Sequence, residues 1–395
     1  MTPERDVALG DWDSQTGSVT LRPLLARDMP GLIGEDGSHP VAITAPTWSP
    51  DGSLMAASLI YRASAHQPRS ALVVVDVATG AVSLIFQGTP GLAAFIAPGL
   101  PHYVNWAPDC RHLALLAQTS AGMTLFVLDR LGLSPAAPVI SGAPLFFAWS
   151  PSGDALLVHR AGDLILAPAS LPESPSILMR GGLACQLPAW SGSGDVLAIA
   201  RHESGGIALG TLQRDGTEKQ VRHLAAVGAT MRWRPGTEHL AYSLRALDEP
   251  GPGRGLWLTT VDGAQPEKLT DLPIDAYYWS ADGSKLAILS TTPETGLCFW
   301  SVIEIQTGAG QRFTQFYRSA ELALMLGFFE QYVTSHRPWS AAGDALLVTG
   351  RVPNNGTPPE TNGSSIYIQP AESGSHPGFA AQGTFASWCP VGSAT

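Results

Sequence analysis

Charge is scarce in this chain and leans acidic: 14% of the 395 residues are Asp, Glu, Lys or Arg, and the formal net charge is −10. The 23 lysines and arginines are scattered, with no basic run. Phosphate backbones and anionic membrane surfaces are gripped by clustered cations, so the composition argues against nucleic acid and membrane as partners. Cysteine is scarcer still. Cys110, Cys185, Cys298 and Cys389 stand far apart with no C-x-x-C spacing, which argues against structural zinc and for reduced thiols in the cytoplasm. No apolar run approaches the ~20 residues that span a bilayer. The opening Met1-Thr2-Pro3-Glu4-Arg5-Asp6 lacks the charged-then-apolar pattern of a secretion signal, so a cytoplasmic location is expected. Without such a signal, Asn355-Gly356-Thr357 and Asn362-Gly363-Ser364 read as turns rather than glycosylation sites. The G-x-S-x-G elbow of serine hydrolases is also missing.

What the chain has in quantity is turn residues, 42 Gly and 32 Pro, and a tryptophan that keeps returning ahead of one kind of turn. The fullest copies are Trp48-Ser49-Pro50-Asp51-Gly52, Trp149-Ser150-Pro151-Ser152-Gly153 and Trp279-Ser280-Ala281-Asp282-Gly283. Variants follow Trp106, Trp190, Trp233, Trp339 and Trp388, and successive tryptophans lie 58, 43, 41, 43, 46, 60 and 49 residues apart. Pro presets φ, Asp accepts local N–H bonds, and Gly supplies positive φ, so each copy is a tight turn between two strands.

The strand after each turn has a regular pattern. Seven residues past the first seven tryptophans stand Met55, Leu113, Leu156, Leu197, Leu240, Leu286 and Leu346, and two further on Ala57, Leu115, Val158, Ile199, Tyr242, Ile288 and Val348. The positions between are Ala56, Ala114, Leu157, Ala198, Ala241, Ala287 and Leu347. Both faces are therefore apolar, as a sheet sandwiched between two other sheets requires. A repeat of this period built from short strands predicts an all-β, single-domain β-propeller.

Outer hairpins are marked by Asp76-Val77-Ala78-Thr79-Gly80, Glu304-Ile305-Gln306-Thr307-Gly308 and, near the start, Asp13-Ser14-Gln15-Thr16-Gly17. The last copy supplies an inner strand and the first hairpin an outer one. We therefore expect residues 384–395 and 1–25 to share a closing blade, giving eight four-stranded blades, or seven if the last strand merely docks. The recurring W-S-P-D-G turn before an apolar strand resembles the TolB-type propeller repeat, found also in the propellers of prolyl-oligopeptidase relatives. The resemblance covers nearly the whole chain and implies the fold.

One interval departs from the repeat with a helix signal. Ser319 is a suitable N-cap and Glu321 sits in the first turn, predicting an inserted helix over 319–333. Leu322, Met325, Phe329 and Tyr332 fall on one side, while Leu324 and Phe328 widen the stripe. Such a helix either covers a blade edge or presents Leu324, Phe328, Phe329 and Tyr332 to a partner. A second long interval, Gly88 to Gly99, predicts a short helix between prolines.

The entrances to the inner strands supply the other candidates. His102, Asp275 and His336 precede their tryptophans by three or four residues and together could hold a divalent metal with an open position. Tyr103, Asn105, Phe146, Phe147, Gln186, Arg232, Tyr277, Tyr278 and Arg337 could line a ligand site at one mouth of a channel. A non-catalytic platform for a protein or peptide needs the fewest special residues, requires no cofactor and is the function expected. A metal-dependent hydrolase, lactonase or lyase and a funnel for a small ligand or sugar are the alternatives.

Overall fold

Where a serine follows the tryptophan, as after Trp48, Trp149, Trp190, Trp279 and Trp339, it organises the turn. The structure of the chain is a computed structural model that describes residues 6–33, 37–44, 46–61, 69–87, 103–119, 121–132, 136–169, 174–246, 253–262, 264–353 and 363–391. In it the serine hydroxyl accepts the N–H that opens the next strand, from Leu54 to Ser49 at 2.9 Å, Ala155 to Ser150 at 3.1 Å, Lys285 to Ser280 at 2.9 Å and Ala345 to Ser340 at 3.1 Å. The hydroxyl in turn donates to a nearby aspartate, as from Ser280 to Asp282 at 2.6 Å. That bond, with the Ser284 N–H, holds the Asp282 carboxyl down at about 2.

The turn also explains the spacing of seven. Trp48 pairs across the ladder with Met55, Trp106 with Leu113, Trp190 with Leu197, Trp233 with Leu240 and Trp279 with Leu286. Each tryptophan and its apolar partner are thus neighbours on one face of a hairpin. Burial on both faces follows the sequence: Leu286, Ala287, Ile288 and Leu289 are all fully buried.

The chain is an all-β, seven-bladed β-propeller with two short helices. Each blade is a sheet of four or five antiparallel strands. One compact unit comprises Met1–Leu145, Thr357–Ile368 and Gly378–Thr395, and the other Phe146–Gly356 and Gln369–Pro377. In the first unit the hairpin of strands Val7–Trp12 and Val19–Leu25 packs onto the strands Leu54–Tyr61 and Arg69–Asp76. Val7, Leu9, Leu24 and Leu25 share a buried cluster there with Ile43, Leu59 and Val73. In the second unit, buried side chains of the sheets that begin at Ala189–Trp190 and Gly228–Trp233 interlock around Ala198, Leu209, Met231 and Tyr242. No helix among the described residues is long and apolar enough to cross a membrane.

Two expectations are decided by the structure. The eighth blade does not form, and the alternative of seven blades holds. The N-terminal hairpin is a separate two-stranded sheet, and the segment around Trp388 lies in no strand. Every other tryptophan turn pairs with the strand that follows it, and among the described residues none follows Trp388. The two terminal segments nevertheless meet within the first unit. The Trp12 and Trp388 rings lie 5.6 Å apart, and Trp48 Nε1 donates to the Ser387 carbonyl at 3.4 Å. Gly52, at φ +71°, accepts the tail so closely that a Cβ there would stand 2.5 Å from the Cys389 sulfur. The helix over 319–333 is also divided, into α1 (Ala320–Gly327) and α2 (Phe329–Tyr332). Ser319 caps α1 as expected, accepting from Leu322 N at 3.1 Å, but Phe328 leaves helical geometry just after Gly327. The helix expected within Gly88 to Gly99 lies outside the described residues.

If the N-terminal hairpin is part of the first unit's core, Leu24→Ala should lower its unfolding free energy by about 2–5 kcal/mol. The half-exposed Leu21 is the control, and Leu21→Ala should shift it by no more than about 0.5 kcal/mol in the same denaturant titration.

Candidate functional site

Helix α2 is only one turn long, yet its residues engage three inner-strand entrances of the second unit. Phe329 packs its ring 5.5 Å from both Tyr277 and Tyr278. The Glu330 carboxylate accepts the backbone N–H of Gln186 at 2.5 Å and of Leu187 at 3.3 Å. Gln331 Oε1 accepts the N–H of Phe147 at 3.1 Å. One further bond ties the end of α1 to the same place, from Gln186 Nε2 to the Gly327 carbonyl at 2.9 Å. Inner-strand entrances carry backbone donors that no neighbouring strand satisfies, and α2 supplies their acceptors.

Burial changes the chemistry of this anchor. Glu330 is 5% exposed, and dehydration pushes its carboxyl up to about 7 against the two N–H bonds and the nearby Arg245 and Arg232. Its second oxygen, Oε1, has no hydrogen-bond partner among the described residues. Burial also pushes the neighbouring Cys185 thiol up.

Arg232 and Arg337 stand beside this anchor. Arg232 precedes Trp233 as Tyr278 precedes Trp279, and the two hold the same register, opposite Ala241 and Ala287. The charges of Tyr277, Arg337, Glu330 and Tyr278 all act on Arg232. Dehydration pulls both guanidiniums down, yet Arg337 is exposed and Arg232 half-buried. Neither guanidinium has a hydrogen bond or ion pair among the described residues, and the half-buried Tyr278 hydroxyl also has no hydrogen bond there.

The other sequence candidates scatter. His102 lies outside the described residues. Asp275 accepts from Thr291 Oγ1 at 2.5 Å, while His336 Nδ1 meets Ser335 Oγ at 2.7 Å and its ring lies against Tyr332. No three His, Cys, Asp or Glu side chains gather as a metal site among the described residues. Tyr103 and Asn105 are buried in the first unit. Phe147 and Tyr277 are fully buried, and the Tyr277 hydroxyl is shared between the carbonyls of Thr230 and Ala241, so neither side chain lines a recess. Phe146 packs instead against His159 and Phe328.

Of the expected partner face, Phe329 and Tyr332 are buried within the second unit and cannot present a surface, while Leu324 and Phe328 are half-buried. Sequence reasoning missed Glu330 and Gln331. Their signal was a polar pair set inside the aromatic run Phe328-Phe329 and Tyr332, where only buried hydrogen bonding keeps polar side chains.

No protein-family model matches the chain, and no curated protein matches it by sequence. Solved structures do match its fold. A prolyl endopeptidase aligns with 94% of this chain at 13% identity and a TM-score of 0.52, and the aligned part is 52% of that protein. An oligogalacturonate lyase in complex with manganese aligns with 97% of this chain and 84% of its own, at 13% identity and a TM-score of 0.48. TolB from Acinetobacter baumannii aligns over 83% and 82%, at 14% identity and 0.42. At these identities the likeness shows the propeller fold alone.

Glu330 gives a pH test of the anchor. Its carboxyl ionises near 4.5 in the unfolded chain and near 7 in the folded one. Stability attributable to it is therefore undiminished below the lower value, falls as pH rises between the two, and stays low above the upper. In urea titrations Glu330→Gln should flatten that fall and be the more stable form at about pH 8, by up to roughly 3 kcal/mol. Glu330→Leu, which leaves two buried N–H groups without an acceptor, should be less stable than Glu330→Gln at every pH.

Proposed function

We propose that this chain is a non-catalytic, cytoplasmic binding platform for a protein or peptide, docking on the second unit beside α2. What carries the reading is the pair of guanidiniums, half-buried Arg232 and exposed Arg337, which have no hydrogen bond or ion pair among the described residues and so are open to an incoming group. The anchoring of α2 supports the same reading, since Glu330, Gln331 and Phe329 fix it to three strand entrances. Rigid walls lower the ordering cost of binding.

A photo-crosslinking side chain at Gly327 tests the platform. Gly327 is exposed, its surroundings leave room for a Cβ, and its carbonyl is bonded to Gln186 beside the anchor. Illuminated in the native cell, the full chain should give discrete protein adducts from position 327 that Arg232→Gln removes. The exposed Leu84, in the first unit, is the control position. Adducts that are the same from both positions, or none from 327, would contradict the proposal.

A further inference from the structure

We infer that the second unit holds a binding site for a zwitterionic α-amino-acid head group, gripped between Asp275 and Arg318. The inference goes beyond the platform reading and does not rest on it. Four strands bring the site together. Asp275 stands just ahead of Ala276–Trp279, Thr291 ends Lys285–Thr291, Cys298 opens Cys298–Glu304, and Arg318 closes the short strand Tyr317–Arg318 of the next sheet. The Thr291 hydroxyl is their hub. Its oxygen lies 2.5 Å from Asp275 Oδ2, 3.3 Å from Arg318 Nη1 and 3.3 Å from Cys298 Sγ.

A count of protons shows what these groups leave open. An ionised carboxylate only accepts, so the one hydroxyl proton of Thr291 goes to Asp275. Its two lone pairs then take the Arg318 N–H and the Cys298 S–H, and the hydroxyl is saturated. It holds a carboxylate and a guanidinium no further apart than two hydrogen bonds laid end to end, yet the two form no ion pair with each other. Asp275 Oδ1 and Arg318 Nε and Nη2 have no hydrogen bond or ion pair among the described residues. Asp275 is half-buried, Arg318 is exposed, and the fully buried Cys298 closes the floor between them.

The open groups select the ligand. A plain anion suits Arg318 and is repelled by Asp275, and a plain cation meets the reverse. A neutral amide or sugar hydroxyl bonds to both but compensates neither charge. An ammonium and a carboxylate on one carbon satisfy the whole set: the ammonium donates to Asp275 Oδ1, and the carboxylate accepts from the Arg318 fork. The short spacing imposed by Thr291 suits two charges on a single carbon rather than the two ends of a peptide. Burial pushes the Asp275 carboxyl up, and the Thr291 bond and the Arg318 charge offset this only in part, so an ammonium at the open oxygen is welcome.

The frame is already fixed by backbone bonds. Asp275 N–H donates to the Leu289 carbonyl at 3.0 Å, Cys298 and Phe316 exchange both of theirs at 2.8 Å, and Ser319 N–H donates to the Thr349 carbonyl at 3.0 Å. Gln315 Nε2 donates to Thr292 Oγ1 at 3.0 Å and ties the rim. Groups held this way cost little further ordering when a ligand arrives.

Calorimetric titration of the full chain at about pH 7 with free glycine, glycinamide and N-acetylglycine tests the site. Glycine should bind with a Kd of about 1 mM or below. Glycinamide keeps only the ammonium and N-acetylglycine only the carboxylate, and each should bind at least about tenfold more weakly. Arg318→Gln and Asp275→Asn should each weaken glycine at least about tenfold. Arg318 is exposed, so its variant should melt with the parent, and it carries the test if Asp275→Asn does not fold. Thr291→Ser, which keeps the hydroxyl, should stay within about threefold of the parent, whereas Thr291→Val should lose binding because nothing then holds the two charges apart. No binding of glycine, an analogue that binds as tightly as glycine, or parent-like binding in Arg318→Gln overturns the site. Parent-like binding in Thr291→Val overturns the role of Thr291 as its positioning residue. Glycine binding without adducts from position 327 would remove the platform reading and keep this site, and the opposite result would do the reverse.

Discussion

Four of the repeat tryptophans carry an indole N–H across to the segment just ahead of the preceding repeat's tryptophan. Trp106 donates to the Thr47 carbonyl at 3.1 Å, Trp233 to Ala189 at 2.9 Å and Trp339 to Tyr278 at 2.9 Å. Each acceptor is the residue just ahead of the preceding repeat's tryptophan. The bond therefore locks the same register position in successive repeats, and a slip by one residue would turn both the indole and its acceptor away. Trp48 obeys the rule as well, with Ser387, just ahead of Trp388, as its acceptor. The tail thus serves the first unit as a preceding repeat although it forms no strand. Trp190, Trp279 and Trp388 have buried indole nitrogens without an acceptor among the described residues, so the lock is not universal.

The ladder register gives the residue ahead of each tryptophan a fixed station in its blade. Arg232 and Tyr278 occupy it in successive sheets of the second unit, opposite Ala241 and Ala287. The Tyr278 carbonyl accepts the Trp339 indole there, whereas Trp279, the tryptophan of the repeat after that of Arg232, has no acceptor among the described residues. The anchor through α2 packs Phe329 against Tyr278. It uses Glu330 and Gln331 for strand-entrance amides that would otherwise lack acceptors. A buried carboxylate is an expensive way to do this, as its raised pKa records. A neutral glutamine satisfies the same class of donor at the next position.

Much of the fold was legible because the repeat states one local rule many times. Trp-Ser-Pro-Asp-Gly encodes a turn, the apolar residue seven positions on encodes the ladder partner, and both appear in the structure as read. The count of blades was less legible. The N-terminal hairpin has its outer Asp13 turn and the tail has its Trp388, but a sheet requires ladders, and no composition shows whether two remote segments will share one. The inserted helix breaks just after Gly327, a glycine that the apolar periodicity across it masked. The site was legible only in part. Arg232, Tyr278 and Arg337 drew notice from their place before a tryptophan, and the proposal rests on the two arginines. Tyr277, one position from Tyr278, points between sheets and is bonded to Thr230 and Ala241, a difference that only the alternation of a specific strand decides.

The most direct test of the account is a crystal structure of the full chain with a protein crosslinked to it in the native cell. The account predicts that partner seated on the second unit against Arg232 or Arg337, with α2 where it stands now. A partner seated on the first unit, with both guanidiniums still facing only water, would contradict it.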